Sequence, residues 1–113
     1  MIRISFKYNT DGAPVGIRCD GHAGFARFGK DIVCAAVSVL VINTMNSIEA
    51  FTEDEFTGEV NEKKGHVVFE LADSCSEEAK LLMRSLELGI RDIYEEHSRY
   101  ISLIDWEVKS CSE

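Results

Sequence analysis

Two side chains in the first third of the chain have types and a setting suited to covalent chemistry: His22 and Cys34. His22 follows a strand-like run and Gly21. Cys34 lies near the start of an apolar helical run, and the glycine-punctuated stretch Gly24-Phe25-Ala26-Arg27-Phe28-Gly29-Lys30 lies between them. A cysteine attacks as its thiolate, and a nearby imidazole or a helix N-terminus favours that form. With Asp31 capping a helix over residues 32–51, Cys34 stands in the first turn. Unpaired N–H groups and the helix dipole there favour negative charge. His22 is then the base that accepts the thiol proton and later protonates a leaving group. The competing reading is structural, because a free cysteine in an apolar helix also packs as a small hydrophobe.

The residues around the pair have two readings each. Asp31 either caps the helix or orients His22 as a third catalytic member. A carboxylate beside Cys34 opposes a thiolate, which favours the cap. Ser38, one turn beyond Cys34, bonds back to the helix carbonyls or helps position the sulfur. Gly21 and Gly24 give the backbone freedom to aim the His22 ring. Phe25 and Phe28, bracketed by Gly24 and Gly29, either tuck into the core or form a substrate-binding flap over residues 23–30 that peptide orders. The same stretch approaches a phosphate-binding loop, G-x-x-x-x-G-K-[ST]. Asp31 stands where that motif needs a hydroxyl and puts negative charge where phosphates would sit. His66 and His97 read as turn and helix-end residues without a role.

Around this site, 113 residues make one domain, 1–113. The net charge of −8 argues against general nucleic-acid binding and suits a basic partner. Cys19, Cys34, Cys75 and Cys111 form no C-x-x-C pair and no Cys/His ligand cluster, so no metal or other cofactor is expected. The chain opens on a strand-like run rather than a signal peptide, and no apolar run is read as a membrane span. Together these predict a cytoplasmic protein with reduced thiols and no membrane partner.

Alternation places a strand over residues 2–8, with Ile2, Ile4, Phe6 and Tyr8 on one face, and another over about 14–20 with Val15, Ile17 and Cys19 inward. Asn9-Thr10-Asp11-Gly12 joins them as a hairpin. The 32–51 helix is apolar nearly all round. One sheet face and one helix cannot cover it, which predicts a homodimer. Strands follow at Phe56–Asn61 and His66–Leu71. A helix over about 75–96, capped by Asp73 or Ser74, carries the stripe Ala79, Leu82, Met83, Leu86, Ile90, Ile93 and Tyr94. A last strand over about 101–109 turns Ile104, Trp106 and Val108 to one side. The order ββαββαβ gives an α+β fold, a mainly antiparallel sheet with two helices.

Gly21-His22-Ala23-Gly24, a short spacer with Gly29, and Asp31-Ile32-Val33-Cys34-Ala35-Ala36-Val37-Ser38 together resemble the signature of the bacterial ribosomal-processing cysteine protease family, Prp. Length and element order agree. The spacer carries Phe25 and Phe28 where some relatives have tyrosine. The approach to the last strand lacks a proline. The resemblance implies a cytoplasmic, homodimeric endopeptidase with a dyad at His22 and Cys34 and motif residues at Asp31 and Ser38. It also implies a substrate, the precursor of large-subunit ribosomal protein L twenty-seven, cut after paired aromatic residues to remove an N-terminal extension. Two other functions suit the same groove: a non-catalytic ribosome-associated adaptor that binds a peptide, and a redox-sensing thiol protein.

Overall fold

The computed structural model describes residues 2–21, 28–61 and 65–106, and for residues 28–31 the backbone only. The elements are β1 (Ile2–Tyr8), β2 (Pro14–Asp20), α1 (Phe28–Phe51), β3 (Phe56–Asn61), β4 (His66–Leu71), α2 (Glu77–Glu96) and β5 (Ile101–Leu103). This is the expected order and class. The sheet runs β3-β4-β2-β1-β5, antiparallel except where β5 lies parallel to β1.

The period-two pattern puts one face of this sheet inside. Ile2, Ile4 and Phe6 of β1, Val15, Ile17 and Cys19 of β2, and Phe69 and Leu71 of β4 are buried against both helices. From α1 the same core takes Val33, Val37, Val41 and Ile48, and from α2 Ala79, Met83, Leu86 and Ile90. The other sheet face is polar and helix-free. Across it Lys7 reaches Glu70 over the β2 strand at Gly16, where a Cβ would stand 3.3 Å from that of Lys7 and 3.1 Å from the Phe69 carbonyl.

Tyr8 departs from its expected burial. Its ring is exposed, and its hydroxyl is shared with Glu87 and Arg91 of α2.

Three boundaries differ from expectation. α1 begins at Phe28, so Asp31 is the fourth helical residue rather than the N-cap. The penalty of Gly29, about 1 kcal/mol against alanine, does not stop a helix whose later turns are packed. α2 begins at Glu77, and its N-cap is Ser76, not Asp73 or Ser74. The Ser76 hydroxyl accepts from the Ala79 N–H at 3.1 Å and bonds to Asp54, which also takes the Ser76 N–H at 2.9 Å. β5 ends at Leu103. The chain then crosses the outer sheet face, where the Arg18 guanidinium lies 4.5 Å from the Trp106 ring centre; Val108 lies outside the described residues. Finally, Ile32–Phe51 is long and apolar enough to cross a membrane by length and composition, contrary to the reading above. In the fold one side of it is core.

Candidate active site

Residues 34, 37, 38, 41 and 42 recur at helical spacing, so they share one face of α1. That face roofs an apolar cavity of about 280 Å3. Cys34, Val37, Ser38, Val41 and Ile42 line it from above, and Ile2, Cys19, Val60 and Val67 from the sheet. The floor follows from register: Val60 opposes Val67, and Val67 opposes Cys19. The cavity therefore spans β3, β4 and β2 at the end where the chain leaves the sheet for His22.

Two of the candidate residues, Cys34 and Ser38, are thus brought to one wall. Cys34 is only 8% exposed. Gly21 sits at the exit of β2 with φ of +94°, a left-handed backbone that favours glycine, and its N–H donates to the Gly65 carbonyl at 3.0 Å. Phe28, Gly29 and Asp31 are not loop or cap residues; their backbones form the first turn of α1. His22, Gly24 and Phe25, and with them most of the expected 23–30 flap, lie outside the described residues.

The longer helix changes the electrostatic argument. Cys34 is the seventh residue of α1, in its second turn. The dipole effect fades within the first turn. The N–H groups without helical acceptors belong to residues 28–31 rather than 32–35, so the anion-favouring end of the helix lies one turn earlier than expected.

The cavity also displays what burial does to a thiol. Cys19 shares it, and burial, with a smaller push from Asp20, raises its pKa to about 12. Cys75 is raised for the same first reason. Neither suits nucleophilic work at neutral pH. A cysteine in such surroundings needs a cationic partner to ionise. Sequence reasoning places Cys19 inward by its period, but gives no sign that it faces Cys34's cavity. That juxtaposition depends on β4 lying beside β2.

Known cysteine proteases are similar to this chain in sequence and fold. The ribosomal processing cysteine protease Prp of Staphylococcus aureus is 28% identical over 103 residues, covering 91% of this chain and 97% of its own. The S. aureus protease in complex with a substrate peptide superposes with a TM-score of 0.86 at 26% identity, over 94% of this chain and all of that one. Its complex with a covalently linked product peptide gives 0.82 at 27% identity, with the same coverage. The family profile described as cysteine protease Prp matches residues 1–102. A family profile over nearly the whole chain, with relatives and solved structures that share its fold, settles the family: the chain belongs to the cysteine protease Prp family.

Proposed function

We propose that this chain is a single-domain, cytoplasmic endopeptidase that removes the N-terminal extension from the precursor of ribosomal protein L twenty-seven. Cys34 is the nucleophile and His22 its base. The carrying observation is the placement of Cys34 on the wall of the apolar cavity, beside the sheet end from which the chain runs through Gly21 into His22. His22 takes the thiol proton, and the thiolate adds to the scissile carbonyl. The tetrahedral oxyanion meets N–H groups near the start of α1. His22 protonates the departing amine, and water then hydrolyses the thioester. Asp31 and Ser38 support this pair. The covalently linked product peptide of the S. aureus relative supports covalent catalysis, and the net charge of −8 suits a basic ribosomal substrate.

The assembly we propose is a homodimer. Ile32, Val39 and Ile42 are 63%, 66% and 40% exposed along one side of α1. Such an apolar stripe is what a two-fold partner would cover.

The precursor, incubated with the protein and mass-mapped, should lose its extension at one bond. Cys34→Ala should abolish cleavage, and His22→Ala should lower turnover by several orders of magnitude. Binding without cleavage by the wild type would favour an adaptor. Cleavage by Cys34→Ala at the wild-type rate would end the protease reading.

A further inference from the structure

The last residue pair of the β2–β4 ladder joins Asp20 to His66. Both side chains lie on the outer sheet face, because Cys19, next to Asp20, and Phe69, three positions from His66 in β4, are core residues of the other face. His66 Nδ1 is hydrogen-bonded to Asp20 Oδ1, with both side chains half-buried. One step further along, the Gly21 N–H donates to the Gly65 carbonyl. In an antiparallel ladder this makes Gly21–Gly65 the hydrogen-bonded level and Asp20–His66 the level with the closer side chains. Both glycines have positive φ, +94° and +64°. Without a side-chain clamp, the ladder would end on two residues of the widest conformational range. The next residue is His22.

We propose that His66 is a positioning residue: through Asp20 it clamps the end of β2, two residues before His22, and so supports the pairing of His22 with Cys34. The inference rests on His22 acting as the base. His66 lies at the opposite sheet face from the thiol, so it acts through the backbone and touches no reacting atom. Arg3, Arg18, Glu59 and Asp105 border the same outer cleft. Arg3 stands opposite Asp20 in the β1–β2 ladder, and the Asp20 carboxylate is bonded to His66. A displacement of the base of about 1 Å can cost on the order of 100-fold, so a clamp of this kind would be felt in reactivity.

Alkylation of Cys34 by iodoacetamide, mapped by mass spectrometry across pH, reads the thiol–imidazole pairing without any substrate. His22→Ala should move the inflection toward that of an ordinary thiol, about 8.5. His66→Ala should move it the same way and slow alkylation at mildly acidic pH by roughly 10-fold. His66→Asn places an amide N–H where Nδ1 was and should restore the wild-type profile. Asp20→Ala should reproduce His66→Ala, and it stands in for that variant if His66→Ala does not fold. A wild-type profile in His66→Ala, or in its stand-in, beside a shifted His22→Ala overturns the clamp alone. So does a failure of His66→Asn to restore the profile. An unshifted His22→Ala overturns the reading of the base, and the clamp with it.

Discussion

At the scale of single residues, the informative contrast is between cysteines that share surroundings. Cys19 is held protonated by burial up to about pH 12, and the proposed nucleophile opens onto the same cavity. Iodoacetamide applied to the folded protein near pH 8 should therefore label Cys34 and spare Cys19 and Cys75. Comparable labelling of Cys19 would show that the cavity is not as dry as its lining. Asp31 offers a second test. As a cap, its removal would cost about 0.5–2 kcal/mol. A carboxylate at the fourth residue of a helix gains about 0.3–1 kcal/mol from the dipole. Asp31→Ala should thus melt close to the wild type, and any large fall in turnover would report orientation of His22. The types and spacing of His22, Asp31, Cys34 and Ser38 were legible in the sequence because the motif is local. The pairing of His66 with Asp20 was not, since 46 positions separate them and His66 alone reads as a turn residue.

At the scale of elements, alternation and helical periodicity placed all seven, and β1 to β4 agree residue for residue. Two of the misplaced boundaries, the start of α2 and the end of β5, lie beside tertiary contacts. α1 starts before Gly29 rather than after Asp31. The start of α2 is chosen by Asp54, which bonds both the N–H and the hydroxyl of Ser76, and no local pattern ranks Ser76 above Ser74. β5 stops where Trp106 goes to Arg18. The α2 cap gives a signed prediction. Hydrogen bonds from Ser76 hold the Asp54 carboxyl below its usual range. A lowered folded-state value adds stability that is present above the unfolded value, near pH 4, and is lost as pH falls through the folded one. Urea denaturation should show wild-type stability falling across that acidic window and a shallower fall in Asp54→Asn. Ser76→Ala should cost about 0.5–2 kcal/mol at pH 7. Equal acid slopes for wild type and Asp54→Asn would remove the argument.

At the scale of the whole molecule, an apolar helix with one buried side leaves the other to be explained, and the sequence showed that surplus without showing its direction. Ile32, Val39 and Ile42 give it a direction. Sedimentation equilibrium at micromolar concentration should find a dimer, and Val39→Glu should yield a 12.7 kDa species. A wild-type monomer would refute the proposed assembly. The strand order has a further consequence, in time rather than in space. β4 inserts beside β2, although β3 and the whole of α1 intervene in the chain. A ribosome making this protein releases the proposed nucleophile and its base early, without the Val60 and Val67 floor or the His66 clamp. At ~5–20 residues per second, β4 is complete roughly 2–7 s after Cys34 is made. Until then the chain holds a cysteine and a histidine but no site. The order of synthesis thus withholds the proposed site until β4 has been made.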